Sequence, residues 1–499
     1  MTIGHLARAA LLAAACLGLF TAAPAPTAAA ADEPVPATLD AGPGAVIAAR
    51  PGAAETLDLE TCAQRALAGN DLLQAERYRR RELDGQMKQA LATGLPTLDA
   101  TGTWSRSRDP SFALDSSFGG GGGTGSALID SLFGGFSFIP PPEDIPAQTY
   151  WRSSLNLSWT LNPIKILGAV GAAGQGIRRQ DLALLGAVHQ TEQDVVAAYH
   201  GVVLAAEQLA AVEAELRNQE EFLDISRLRF GLGMATELDT LQAAVAAANL
   251  SPQLRQAQQG LRTAGARLNA VMGADPESPL SVRNEQRVET DVVSRETALA
   301  LAARRPDVMQ AEVMSDLLRQ NRRAQKSEMR PYLSMLGSYG YVGRRLKDLD
   351  DTGHDFWNAS VALNVPLFDG LLTRGLVQQT EASILRSESE RNGLLRQARV
   401  EVLDLLDGRD AARDNLRAAE LNMDRAEDLL ETSILMLRHG KADYLTVLQS
   451  EAERSRARTN LIQARYDVLT TTASLKRAIG VSPLLPLAAV DGLVAGGSQ

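Results

Sequence analysis

RFGLGMATELDTLQ, at Arg229–Gln242, is answered by RHGKADYLTVLQ at Arg438–Gln449, and this pair decides the architecture. After each closing Gln the copies run in register, one to GADP ending at Pro276 and the other to GVSP ending at Pro483; 276 − 242 and 483 − 449 are both 34. An earlier pair is NDLLQAE at Asn70–Glu76 with PDVMQAE at Pro306–Glu312. Each of these is followed by a polar helical run, a Pro and an alternating segment. A period of roughly 200 residues is too long for a solenoid, whose repeats span about 20–50. The chain is therefore a duplicated unit, each copy reading as helix, β-hairpin, long helix, turn and returning helix.

Working outward, the first repeat takes 57–285 and the second 286–485. Apolar residues recur at three- and four-residue steps from Leu57 until Pro96, which predicts one continuous helix. The period then changes to two. Leu98, Ala100, Gly102 and Trp104 alternate with Asp99, Thr101, Thr103 and Ser105, and Leu155, Leu157, Trp159 and Leu161 with Ser154, Asn156, Ser158 and Thr160. Between these strands lies a loop, 107–148, rich in Gly, Pro and aromatics. A helix of about 60 residues is expected from Asn162-Pro163 to Arg229, roughly 90 Å at 1.5 Å per residue. A turn at Gly231–Gly233 and a returning helix of about 37 residues to Met272 follow. In the second repeat the expected elements are a helix over Arg295–Met329, strands in LSMLGSYGYVGRR and FWNASVALNVP, a long helix Leu367–Arg438, a turn at His439-Gly440 and a helix Ala442–Ile479. Asp71 and Asp307 differ by 236 positions but Trp151 and Trp357 by 206, so the first hairpin carries an insertion of about 30 residues. The tail, 486–499, is expected to be loose after Pro483.

Residues 1–31 read as a secretory signal: Arg8, a short apolar core ALLAAACLGLF, and small residues before a cleavage site near Ala31. The core is too short to span a bilayer, and no other run approaches 18 uninterrupted apolar residues. Residues 32–56, rich in Ala, Pro and Gly, are expected to form a flexible lead-in. Cys16 sits within the apolar core, and AAAC lacks the Leu that a lipoprotein site carries three places upstream. Cys62 would then be alone in the mature chain, a small buried apolar residue with no disulfide partner. Only 4% of residues are aromatic and the helical runs are rich in Ala, Leu, Gln, Arg and Glu, the composition of long packed helices. A net charge of −10, near −11 once Arg8 is removed, argues against a nucleic-acid binder.

Four alternating strands of about ten residues suit a membrane barrel, which needs 9–11 per crossing. Their apolar face carries Trp104, Trp151, Trp159, Tyr339, Tyr341 and Trp357 toward its ends, as interface aromatics would lie; the other face is Ser, Thr, Asn and Gly, suited to a wet lumen. Four strands cannot close a barrel, and open edges are not tolerated in lipid. Either the hairpins sit on a soluble helical body or several copies pool their strands, three copies giving twelve.

The order of elements, together with LDLETCAQRALAGNDLL, ARRPDVMQAE, LNVPLFDG, RFGLGMATELDTLQA and RHGKADYLTVLQSE, resembles the TolC-like outer-membrane channels of bacterial efflux and secretion systems over about residues 57–483. The resemblance implies an α+β membrane protein. Its long α-helical coiled-coil barrel would be joined to a twelve-stranded outer-membrane β-barrel, four strands coming from each subunit of a homotrimer. It implies a passive conduit with no enzymatic activity and no cofactor. Its partners would be a periplasmic adaptor (membrane fusion protein), an inner-membrane pump of the RND or ABC type, and outer-membrane lipid.

In such proteins the helical tips dock the adaptor, which would assign that contact to Phe230, Gly231, Leu232, Gly233 and Met234 on one tip and His439, Gly440, Lys441 and Ala442 on the other. The bland reading is that Gly231 and Gly440 simply end helices. Leu445 matches an apolar constriction of the family's inner gate. Gln449 stands where efflux members of such a family often carry Asp, so Asp239 becomes the candidate acid near the entrance, and Arg229 and Arg438 are candidate partners of nearby acids in a closed-tip latch. Ordinary coiled-coil charge pairing explains these Arg residues as well, and exposed pairs are worth under about 1 kcal/mol. His5, His189, His200, His354 and His439 lack metal-ligand spacing, and GLGMA follows no strand, so no metal or dinucleotide site is expected. Two functions within the family stand open: efflux of small toxic molecules, toward which ARRPDVMQAE and YLTVLQ lean, and type I protein secretion. A periplasmic adaptor would have one helical hairpin flanked by lipoyl-like domains. A soluble coiled-coil scaffold would leave the signal and the strands without purpose.

Overall fold

A computed structural model describes residues 46–48, 56–107, 147–233, 235–284, 286, 288–289, 291–350, 352–439 and 441–489. The signal segment, nearly all of the Gly-rich loop, Met234, Gly440 and residues 490–499 of the tail lie outside the described residues. In chain order the elements are β1 (Val46–Ala48), β2 (Thr56–Leu57), α1 (Leu59–Gly69), α2 (Asp71–Ala92), β3 (Thr97–Ser107), β4 (Gln148–Leu161), α3 (Pro163–Gly231), α4 (Glu237–Val271) and β5 (Ser281–Arg283). The second repeat continues with α5 (Arg295–Ala302), α6 (Pro306–Lys326), β6 (Tyr332–Gly343), β7 (Asp355–Asn364), α7 (Leu372–Arg438) and α8 (Tyr444–Ala478).

The long helices have 69 and 67 residues, about 100 Å each. Their partners α4 and α8 have 35 apiece and fold back along them. By composition α3 holds a stretch apolar enough to cross a bilayer. Near the start of α3, Gly168, Ala172 and Gly176 are buried, and a Cβ on Gly168 would lie 2.8 Å from Ala324 of α6.

Four expectations change. The helix from Leu57 is two helices, broken at Asn70. That residue is extended (φ −67°, ψ 122°), its side-chain oxygen accepts from the Leu72 and Leu73 amides, and its side-chain amide donates to the Val271 carbonyl at 3.0 Å. Asn satisfies both sides of a break, and helical periodicity persists across it. In the second repeat the break falls before Pro306, which starts α6 at its first turn. The long helix of that repeat begins at Leu372, not Leu367, because Gly370 and Leu371 take left-handed φ of 68° and 71° and the Asp369 carboxylate caps the Thr373 amide at 2.8 Å. Finally, the described part of the tail is packed: Leu487 is 1% exposed and its amide donates to Glu289 at 3.1 Å.

Each repeat has its own core where the short helices meet the long ones. In the first, Leu57, Cys62, Ala66, Val195, Tyr199, Leu268 and Val282 interdigitate; in the second, Val293, Leu301, Val402, Leu475, Ile479 and Leu487 do. Cys62 is fully buried, as expected, and burial pushes its thiol up to about 12. The described residues of the lead-in, 46–48 and 56, lie in strands rather than in a flexible segment, and the rest of it lies outside the described residues. Its β1 and β2 flank β5 in a three-stranded sheet, β1 antiparallel and β2 parallel. The glycines of GADP and GVSP have the same role in each repeat. Gly273 (φ +72°) and Gly480 (φ +83°) end α4 and α8 in the left-handed conformation.

Candidate functional site: an open-edged sheet and a pair of helical tips

The four long strands form one antiparallel sheet in the order β3-β4-β6-β7, so two hairpins lie side by side and the outer edges of β3 and β7 are unpaired among the described residues. The register sorts the side chains. Trp104 lies opposite Trp151, Leu155 opposite Ala100 and Tyr339, Tyr339 opposite Trp357, and Trp159 opposite Met335, which in turn faces Val361. All belong to one face, on which Trp104, Leu98, Leu157, Val361, Leu363 and Trp357 are exposed. The opposite face presents Thr97, Thr101, Ser154, Asn156, Ser158 and Ser334. Its cross-strand hydrogen bonds include Thr101 Oγ1 with Ser154 Oγ at 2.9 Å and Asn364 Nδ2 to Ser334 Oγ at 2.9 Å.

An exposed apolar face over unpaired edges is unstable in water and fits lipid only when the edges are closed. Trp104 and Trp151 pack at 6.4 Å, Tyr339 and Tyr341 at 5.8 Å, and with Trp357 they gather toward the hairpin-loop end. Trp159 stands toward the helices, its ring nitrogen donating to the Gly94 carbonyl at 2.9 Å. Trp151 and Trp159 are eight residues apart on β4, which is about 26 Å along the strand and close to the roughly 25 Å apolar band of an outer-membrane barrel.

About 100 Å from the sheet along the helices lie the two turns. Gly231 is the last residue of α3, and the residue that reverses the chain with positive φ is Gly233 (φ +73°). Both glycines of the expected turn take part, Gly231 closing the helix and Gly233 reversing the chain. Phe230, Leu228, Leu232 and Leu238 are exposed on the first tip, and Leu435, Met436 and Leu445 (50% exposed) on the second. His439 is the C-cap of α7, Lys441 is exposed, Ala442 is half-buried and Gln449 is exposed.

The returning helices are capped by the same two residue types in exchanged order. Thr236 Oγ1 accepts from the Asp239 amide at 3.2 Å while Asp239 accepts from the Thr236 amide at 2.9 Å; in the other repeat Asp443 accepts from the Thr446 amide at 2.9 Å. Asp239 is therefore engaged in a cap, and its carboxyl lies below the usual range because of the Thr236 amide, then the Thr236 hydroxyl. Arg229 and Arg438 form no ion pair among the described residues of one subunit, while the charge of Arg229 contributes to lowering the Asp239 carboxyl.

Instead they stand on the wall of a cleft of about 580 Å³ between α3, α7 and α8. Phe222, Ile225, Leu430, Ile434 and Leu437 give it apolar walls. Glu451, 1% exposed, lies at its base and accepts from Asn218 Nδ2 at 2.8 Å and from Arg454. Glu215 of α3 adjoins it, with its carboxyl raised by burial and then by the charge of Glu451. This carboxylate pair joins the first repeat to the second. The turn motifs carried no sign of it, because Glu215 and Glu451 are brought together only by the packing of α3 on α8. No group of His, Cys, Asp and Glu among the described residues is arranged to hold a metal ion.

A sequence profile described as "Outer membrane efflux protein" matches residues 62–274 and 299–481, one match to each repeat. The chain belongs to that family of outer-membrane transport proteins. Its sheet accordingly belongs to the bacterial outer membrane and its long helices to the periplasm. Among curated relatives, the chain is 23% identical over 291 residues to the alkaline protease secretion protein AprF of Pseudomonas aeruginosa, covering 58% of this chain and 60% of that one. It is 25% identical over 292 residues to the outer membrane protein TolC of Vibrio cholerae, covering 57% and 66%. The chain thus spans about three-fifths of the length of the curated relatives it matches. Its fold is that of CusC, with a TM-score of 0.70 over 85% of this chain and 92% of the other at 20% identity. Family membership sets aside the periplasmic adaptor and the soluble scaffold.

Proposed function

We propose that three copies of this chain pool their sheets into one twelve-stranded barrel and their helices into a tunnel, forming a passive conduit of a tripartite efflux system for small toxic molecules. The observation that carries this reading is the sheet with two unpaired edges and an exposed apolar face. Three-fold closure pairs every β3 edge with a neighbouring β7 edge and leaves no unsatisfied backbone in lipid. The exposed apolar side chains at the tips, Phe230, Leu232 and Leu445, support docking of a periplasmic adaptor that links the conduit to an inner-membrane RND or ABC pump.

A second reading, export of a protein, is favoured by the similarity to a relative named for alkaline protease secretion. The test of the conduit is reconstitution of the purified full chain into planar bilayers. Discrete current steps are expected, and a chain that leaves the bilayer silent under conditions where it is inserted and trimeric overturns the proposal. Deleting the chain's gene then separates the cargoes: sensitivity to small toxic compounds is expected to rise, and loss of a secreted protein without such sensitivity selects the second reading.

A further inference from the structure

The polar face of the sheet carries two charges among its described residues, Asp99 and Arg152. Asp99 lies opposite Asn156, Arg152 opposite Thr103 and Val342. They are four residues apart along the sheet, about 13 Å, with Asp99 toward the helices and Arg152 toward the hairpin loops. All other described positions on this face are neutral, so both charges project into the space the polar face lines.

Arg152 is held in a particular way. Its guanidinium carbon lies 4.3 Å from the centre of the Phe356 ring, within the roughly 6 Å of a cation–π contact. Arg152 is on β4 and Phe356 on β7, with β6 between them. The side chain crosses β6 beside Gly340, the residue opposite both Ser154 and Phe356. A Cβ at Gly340 would collide with the Ser153 carbonyl and lie 2.8 Å from Ser154. Glycine there keeps β4 and β6 close and leaves the crossing clear. Arg152 takes part in no ion pair among the described residues, and its contact with Phe356 leaves the charge itself unchanged.

We propose that Arg152, laid flat against the wall by Phe356, forms with its two symmetry mates a fixed positive collar near the outer mouth of the conduit. This collar is a specificity-determining element that favours anionic solutes and retards inward passage of small cations. The inference rests on the conduit reading. Rings of Arg or Lys select anions in pores because a fixed charge changes the local concentration of ions passing it. The Asp99 ring, nearer the helices, acts with the opposite sign. Stacking on Phe356 keeps the guanidinium from folding back across the lumen or losing its place to thermal motion.

The experiment measures reversal potential across planar bilayers holding the full-length trimer, with a KCl gradient as the only driving force. At about 10 mM salt the Debye length is roughly 30 Å, and at 1 M it is about 3 Å. Arg152→Gln is expected to raise the ratio of potassium to chloride permeability about twofold at the low-salt end, with the difference fading toward 1 M. Asp99→Asn is expected to shift the ratio the other way, and Arg152→Lys to retain the unaltered value. Current steps with an unchanged reversal potential in Arg152→Gln overturn the collar while leaving the conduit intact. So does a shift that persists at 1 M, or one that Arg152→Lys shows equally, because either marks altered shape rather than charge. Absence of current steps from the unaltered protein overturns the conduit, and the collar with it.

Discussion

Replacing Gly273 by Ala should damage the protein more than replacing Gly480, although the two glycines occupy the same place in the duplicated unit. Both have positive φ, 72° and 83°, so a methyl group in either costs about 1–2 kcal/mol of backbone strain. Their surroundings differ. A Cβ on Gly273 would run into the carbonyl of Gly69, where the end of α4 touches the end of α1 backbone to backbone, and Gly69 in turn lies against the Met272 carbonyl. A Cβ on Gly480 would stop 3.2 Å from the Arg305 Cα, a contact that small adjustment relieves. Backing α4 away from α1 also stretches the Asn70 Nδ2 to Val271 bond of 3.0 Å, worth about 0.5–1.5 kcal/mol.

The total for Gly273→Ala is then about 1.5–3.5 kcal/mol, against about 1–2 kcal/mol for Gly480→Ala. The assay is loss of helical circular dichroism on heating the detergent-solubilised protein, read beside urea midpoints. The expected order of stability is unaltered, Gly480→Ala, then Gly273→Ala. Equal losses, or a greater loss for Gly480→Ala, would refute the argument that the α1–α4 backbone contact distinguishes the two repeats.

Other outcomes follow from the same geometry. Thr236→Ala and Asp443→Ala should each lower stability by about 1 kcal/mol through loss of a helix cap, and the exchange Thr236→Asp with Asp239→Thr should restore most of it; thermal melts of the four proteins check this. Lys476, 3% exposed and bonded to Glu289 at 2.7 Å, should cost about 3–5 kcal/mol when changed to Met, and urea denaturation measures it. The Glu215 carboxyl is raised in the folded protein, so the fold binds more protons there than the unfolded chain does, and stability declines as pH climbs from its ordinary carboxylate range through the raised value. Glu215→Gln should flatten that decline in melts recorded from about pH 4 upward, and an undiminished slope would remove Glu215 as its source. Phe230→Ser with Leu445→Ser should abolish resistance to exported compounds while leaving the amount of outer-membrane trimer unchanged, as quantified in membrane fractions.

Much of this architecture was legible in the chain because its two signals are periodic. Alternation in LDATGTWSR and in the Leu155–Leu161 run placed both strand faces correctly. The paired Gly-containing turns and the equal spacing to GADP and GVSP located the four principal helices. The breaks at Asn70 and before Pro306 were hidden because apolar spacing continues across them. Only the extended backbone of Asn70 and its hydrogen bond to a residue 201 positions away reveal the interruption. The small sheet of β1, β2 and β5 escaped because strands of two or three residues are too short to show a period. At the tips, residue identity marked the turns but not the division of labour within them, with Gly233 reversing the chain at positive φ and Asp239 closing a capping box. The Glu215–Glu451 pair and the Arg152–Phe356 stack depend on contacts between elements far apart in sequence, and no local motif encodes either.

The measurement that bears most directly on the central claim is the electrophoretic migration of protein extracted from outer-membrane fractions, run with and without boiling. If three copies close one barrel across the β3 and β7 edges, the unboiled sample shows a band near three times the mass of the 53.3 kDa chain, less the signal segment, and boiling collapses it to the monomer. Protein found as a monomer that salt washing releases into the soluble periplasm would contradict the account.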